Sequence, residues 1–169
     1  MFTTITRRIE IDYGHVLPNH FSFCNQIHGH RGVIEVTVSG EISTEFGASN
    51  EGMVLDFSFI KDIMMKKIHS ILDHGFAVWV HDNTEVHAGI GNGIAIKVSV
   101  KEFIIARNTK VLILDEPPTA EILAKWAYKE FEKELYIRYQ RSVDDGLLSL
   151  EKVRWYETPN NFAEYSCKS

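Results

Sequence analysis

Cys24-Asn25-Gln26-Ile27-His28-Gly29-His30 is the stretch that decides how this chain folds and what it holds. Alternate side chains of a strand share a face, so His28 and His30 point the same way, toward one metal ion. Gly29 between them leaves room for close approach. Downstream, Gly32, Ile34, Val36 and Val38 keep the parity of the two histidines, while Glu35, Thr37 and Ser39 take the other face. That pattern predicts a half-buried strand from His28 to about Thr44 with a ligand pair at its start. Upstream, Ile9-Glu10-Ile11-Asp12-Tyr13 alternates within a second strand over Phe2 to Val16 that delivers His15. Paired antiparallel, it supplies a third imidazole, and Gly14 is expected to form a bulge that re-aims His15. Three histidines without a fourth protein ligand suit a catalytic zinc, whose open position takes water or substrate. Cys24 either closes the site as a ligand or stands free as a reactive group. The absence of a nearby second cysteine favours the reactive group. A lone strand histidine is usually just packed or hydrogen-bonded; the spaced cysteine before His-Gly-His is what points to a metal.

The rest of the composition limits the alternatives. With 169 residues, 44% apolar and 24% charged, the chain has the size and make-up of one globular domain over 1–169. Eighteen basic against 23 acidic residues, a formal charge of −5, give no general attraction to nucleic-acid phosphates. Two cysteines, Cys24 and Cys167, do not make a disulfide scaffold, and a reducing compartment is expected. The N-terminal residues lack the apolar core of a signal peptide, and no apolar run reaches the roughly 20 residues that span a bilayer. A cytoplasmic protein without a membrane partner is the expectation.

In chain order, Gly47 to Gly52 reads as a loop. Asp56 is a helix N-cap, and Phe57, Ile60, Ile63, Met64, Ile68, Ile71 and Leu72 follow at helical spacing. The helix ends at Leu72-Asp73-His74-Gly75, with Gly75 as its stop signal. Asp73 and His74 are adjacent acid and base candidates there, or equally a capping aspartate and a solvent histidine. Residues 76 to 115 read as an extended hairpin region: a strand at 76–80, a turn at 89–93, alternation at Ile94, Ile96, Val98 and Val100, and a short buried strand at 111–114. His81 and His87 are taken as surface residues. Thr119 caps a second helix with Ile122, Leu123, Trp126, Phe131 and Leu135 on its apolar face; Glu121 in its first turn is favoured by the helix dipole alone. Asp144-Asp145-Gly146 marks a turn. The last strand alternates Leu148, Leu150, Lys152, Arg154 and Tyr156 against Ser149, Glu151, Val153, Trp155 and Glu157. Glu157 thus follows apolar residues on one face, either to bind something or as a solvated strand end. The element order predicts an α+β fold, an antiparallel sheet with two helices on one face.

Several separated pieces together resemble one family. His15, the Cys-x-x-x-His-Gly-His run, Gly52-Met53-Val54-Leu55-Asp56-Phe57, Leu72-Asp73-His74, Pro118-Thr119-Ala120-Glu121 and Tyr156-Glu157-Thr158 look like the 6-pyruvoyl-tetrahydropterin synthase superfamily. The three residues between the cysteine and His-Gly-His are similar to the bacterial 6-carboxytetrahydropterin synthases of queuosine and 7-deazaguanine biosynthesis. The resemblance implies the tunnelling fold, in which subunit sheets join into an oligomeric barrel, commonly a homohexamer built as a dimer of trimers, with 7,8-dihydroneopterin triphosphate as substrate. It further implies that His15, His28 and His30 hold zinc and that Cys24 transfers protons with Asp73 and His74, the last two from a neighbouring subunit. Glu157 would anchor the pterin, with Glu121 near that pocket. A pyruvoyl-forming or folate-route pterin enzyme is the nearest alternative, and a non-catalytic zinc-containing pterin-binding protein the next. Two departures from the family are the length of 76–115 and Gly75-Phe76-Ala77 where Leu-Asn often follows the Leu-Asp-His.

Overall fold

The computed structural model describes residues 2–83, 85–89, 95–106 and 108–167. In chain order the elements are β1 (Phe2–His15), β2 (His28–Glu41), α1 (Phe57–Met64), a π-helical turn (Met65–His69), α2 (Ser70–Leu72), β3 (Gly75–Trp79), β4 (Glu85–Gly89), β5 (Ala95–Ser99), α3 (Val100–Ala106), β6 (Lys110–Leu114), α4 (Ala120–Asp144), β7 (Leu148–Thr158) and β8 (Asn161–Tyr165). Six strands form one sheet in the order β6-β3-β1-β2-β7-β8, and β4 with β5 makes a separate two-stranded sheet.

The main sheet is mixed, which corrects the antiparallel expectation. β1 pairs antiparallel with β2 over its whole length, but β3 runs parallel to β1, and β6 parallel to β3. Parallel neighbours need a long crossover. Between β1 and β3 the chain passes through β2 and then the α1–α2 run; between β3 and β6 it passes through residues 80–109, so the ends of the supposed hairpin region are parallel strands and the hairpin β4–β5 stands apart from the main sheet. The turn expected at 89–93 lies largely outside the described residues.

Asp56 caps α1 as its position predicts, its carboxylate accepting from the Ser58 N–H at 2.7 Å. Ile60, Ile63, Met64, Ile68 and Leu72 are fully buried against the sheet, joined by Leu123, Phe131 and Leu135 of α4 and by Ile34, Val36, Val38, Val153 and Trp155. A second, smaller core contains Val16, Phe76, Val78, Val100 and Ile104. Along β3, Phe76 and Val78 alternate with Ala77 of the main core, so α3 covers the face opposite to α1 and α4. The helices therefore do not all share one face. Val100, expected in a strand, opens α3 instead.

Three further local differences have physical reasons. Gly14 pairs regularly with Gly29 and does not bulge; a Cβ at Gly14 would lie 2.5 Å from the Phe76 ring, so the position needs glycine for close approach. His74, not Gly75, takes the left-handed conformation that ends the helix (φ 54°), and Gly75 begins β3. In β7 the register shifts opposite Thr37/Val38, so Leu148 and Leu150 share the core with Val153 and Trp155, which strict alternation had put on the other face. The strand at 111–114 is a partly exposed edge, with Ile113 half exposed. No described helix is long and apolar enough to cross a membrane.

Candidate metal centre and its surroundings

The antiparallel register of β1 and β2 places His15 opposite His28 and Tyr13 opposite His30. Directly opposed residues share a face, so the three imidazoles meet at the end of the strand pair. His15 is 1% exposed, at the edge of the core. Its Nδ1 donates to the Pro118 carbonyl at 2.7 Å, and His28 Nδ1 donates to the Gln26 carbonyl at 2.7 Å. Those bonds fix both rings with Nε2 turned inward. His15 Nε2 lies 2.9 Å from His28 Nε2 and 3.1 Å from His30 Nε2. With two Nδ1 protons committed to carbonyls, inward lone pairs at such distances repel one another unless a cation lies between them. The donor set fits a transition-metal ion with imidazole ligands.

Burial pushes His15 down to about 4, with the charges His28 and His30 would carry adding to it and the Pro118 carbonyl opposing. Burial also lowers His30, opposed by the Glu157 carboxylate. Both shifts favour the neutral imidazole, the form able to ligate a metal.

Glu157 joins this group. Its Oε1 lies 3.9 Å from His15 Nε2, and its side chain is partly buried. The register of β7 against β8 shifts between Tyr156 and Thr158, so Glu157 is the extra residue of an irregularity. Such bulges commonly re-aim a side chain. Beneath the histidines, Tyr13 packs edge-on against His15 and Trp155, and the Trp155 indole N–H donates to the Tyr13 hydroxyl at 2.9 Å. Tyr13 and Trp155 were not singled out as site residues from the sequence. The signal was there: Tyr13 has the parity of His15, and Trp155 that of Glu157.

The remaining candidates lie at varying distance from the centre. Cys24 sits half-buried in a 3-10 turn (Phe23–Asn25), and its carbonyl accepts from the Leu17 N–H at 2.9 Å. Among the described residues, the ligand atoms within 4.8 Å of one another come from His15, His28 and His30, without Cys24. Both Cys24 and Cys167 are free thiols. Thr119 caps α4, accepting from the Ile122 N–H. Glu121 follows it, exposed, and the Pro118 carbonyl alongside is the one bound by His15.

Asp73 and His74 form a hydrogen-bonded pair, Nδ1 to Oδ2 at 2.8 Å, at the corner between α2 and β3. The corner is clamped to β1 twice: the Asp12 N–H donates to Asp73 Oδ1 at 3.1 Å, and the His74 N–H donates to the Asp12 carbonyl at 2.7 Å. Asp12 lies on the opposite face of β1 from His15. Burial pushes the Asp73 carboxyl up, but the Asp12 N–H and the His74 and His69 imidazoles outweigh it and hold it below the ordinary value. Among the described residues, no hydrogen bond or ion pair joins this corner to the three histidines. His81 is exposed, as expected; the side chain of His87 lies outside the described residues.

The family model for 6-pyruvoyl tetrahydropterin synthase matches residues 4–168. The 6-carboxy-5,6,7,8-tetrahydropterin synthase of Rickettsia felis is 30% identical over 94% of this chain and 96% of its own length. That of Haemophilus influenzae is 27% identical over 95% and 96%. Among solved structures, 6-pyruvoyl tetrahydropterin synthase from Plasmodium vivax superposes with a TM-score of 0.66 at 13% identity, covering 98% of this chain and 97% of that one. An uncharacterized protein from Wolinella succinogenes gives 0.64 at 20% identity, covering 99% of both chains. These two establish the likeness of fold.

Proposed function

Because the chain belongs to the 6-pyruvoyl tetrahydropterin synthase family, we propose that its histidine centre converts 7,8-dihydroneopterin triphosphate into 6-carboxy-5,6,7,8-tetrahydropterin, acetaldehyde and triphosphate. The protein is a pterin lyase of the kind its curated relatives are named for. The observation that carries the reading is the convergence of three imidazole Nε2 atoms beside the Glu157 carboxylate.

His15, His28 and His30 would hold a zinc ion, which as a Lewis acid makes protons on substrate carbons and hydroxyls near it easier to remove. The chain's own residues divide the remaining work. A pterin presents adjacent N–H donors on one edge, and a carboxylate accepts two of them side by side, so Glu157 orients the ring. Tyr13 and Trp155, joined by their hydrogen bond, form the floor on which His15 packs. Cys24, outside the ligand group on a loop that leads into His28, is free to exchange protons through its sulfur. His74, with Nδ1 held by Asp73, has its Nε2 available as proton donor or acceptor. Among the described residues no hydrogen bond or ion pair joins that corner to the chain's own histidines, and we assign the pair to the centre of a neighbouring subunit. A homohexamer, a dimer of trimers closing sheets into a barrel, accommodates this arrangement, and the outer edges of β6 and β8, which pair with no further strand among the described residues, are where sheets can continue. Glu121 would lie near the pterin. The product belongs to queuosine and 7-deazaguanine synthesis, in the cytoplasm.

Incubating metal-loaded protein with 7,8-dihydroneopterin triphosphate tests the reading. Acetaldehyde with 6-carboxytetrahydropterin is expected; a pyruvoyl pterin without acetaldehyde, or no turnover, overturns it.

A further inference from the structure

The π-helical turn Met65–His69 ends on a side chain that the reaction as described does not use. His69 Nε2 lies 3.6 Å from Asp73 Oδ2, the same oxygen that accepts from His74 Nδ1 at 2.8 Å. The other oxygen, Oδ1, is occupied by the Asp12 N–H. One carboxylate oxygen is therefore shared by two imidazoles, of which His74 has its side chain 76% exposed while His69 is mostly covered. The Asp73 N–H donates to the His69 carbonyl at 2.8 Å, so the two residues are also tied through the backbone. π turns within α-helices are rare and shift the register of the side chains that follow. The left-handed backbone of His74 is likewise an uncommon conformation for a residue other than glycine, held here by its N–H bond to the Asp12 carbonyl. Two departures from regular geometry, one on each side of Asp73, bring both imidazoles to the same oxygen.

We propose that His69 is a positioning residue for the proton-transferring pair, acting through Asp73 to set how firmly His74 holds its proton. At 3.6 Å the contact is too long for a hydrogen bond between neutral partners, and it attracts when His69 is charged. A charged His69 draws on the negative charge of Oδ2, leaving less of it to support an imidazolium at His74, and the two cations repel. His74 then gives up its proton more readily. The other charged groups around the corner are Asp12, paired with Arg31 at 3.1 Å, and Lys110, whose Nζ donates to the Asp73 carbonyl oxygen at 2.8 Å. Asp12 is thus engaged by Arg31 and Lys110 by the Asp73 backbone, which leaves His69 as the imidazole that shares Oδ2 with the pair.

The inference rests on the reading that Asp73 and His74 exchange protons with substrate, and the experiment separates the two. The pH profiles of kcat and KM are measured for the metal-loaded protein and for His69→Gln, His69→Lys and His74→Ala, each checked for metal content and folding by circular dichroism. Expected are a fall in kcat on the order of three- to tenfold for His69→Gln, the scale of one partly screened charge, with KM unchanged. An ionisation in the wild-type kcat profile should vanish in both His69 variants, since neither side chain titrates in that range. If His69 is only a helix-end contact, the variants change thermal stability and leave the shape of the profile intact, which overturns the inference. Turnover by His74→Ala at the wild-type rate would overturn the underlying reading instead.

Discussion

His15 Nδ1 donates across 2.7 Å to the carbonyl of Pro118, tying a strand ligand to the residue just before the cap of α4. The cap and the ligand are thus parts of one support. Thr119→Ala removes the side chain that accepts from the Ile122 N–H and should cost about 1 kcal/mol of stability. Because the Pro118 carbonyl sits on the same turn, metal affinity should fall as well, by roughly tenfold. Thermal unfolding and competition with a chelator measure the two effects; a loss of stability without a loss of metal affinity would separate the cap from the site.

The buried neutrality of His15 gives the metal-free protein a pH dependence of definite sign. Its folded value is lowered to about 4 from the ordinary 6.5. In that window the unfolded chain binds the proton and the native state resists it, so stability rises with pH. The contribution is fully present above about 6.5, is lost as pH falls toward about 4, and amounts to at most on the order of 3 kcal/mol. Urea titrations of apo-protein at several pH values check this. Metal-loaded protein should lose its ion across the same acid range, because protonated imidazoles do not ligate.

Gly14 is required by the Phe76 ring, which would stand 2.5 Å from a Cβ at that position. Gly14→Ala should destabilise by about 1–3 kcal/mol, the range for overpacking. Adding Phe76→Leu should recover part of the loss, a non-additivity that a double-mutant cycle reads directly.

Cys24→Ala should leave the metal in place and abolish turnover, by about a hundredfold or more. The expectation follows from a ligand group of three histidines that excludes the thiol. Full activity in this variant would remove Cys24 from the proton pathway.

The clustering of His15, His28 and His30 was legible in the sequence because two simple rules, alternation and antiparallel pairing, put them on one face. The caps at Asp56 and Thr119 were legible for a similar reason: each depends on one side chain and the two or three residues after it. What escaped depended on partners distant in sequence. The parity of β7 changes because Val38 meets Leu150 where strict pairing would give Glu151, a register set by β2. Val100 continues an alternating pattern yet starts a helix, because it and Ile104 lie four apart and pack on Phe76 and Val78 of β3. The parallel placement of β3 beside β1 is a matter of topology that periodicity does not encode. His74 rather than Gly75 takes the left-handed position because its N–H is held by the Asp12 carbonyl, a partner distant in sequence, while Gly75 serves close packing in β3, where a Cβ would lie 2.9 Å from the Leu72 carbonyl oxygen.

The account stands most directly on what surrounds the ion. X-ray absorption at the zinc edge of the metal-loaded protein should show one ion per chain with imidazole nitrogens at about 2.0–2.1 Å and no sulfur. A sulfur scatterer at about 2.3 Å would make Cys24 a ligand and contradict its role in proton transfer, and a failure to bind zinc in stoichiometric amount would contradict the centre itself.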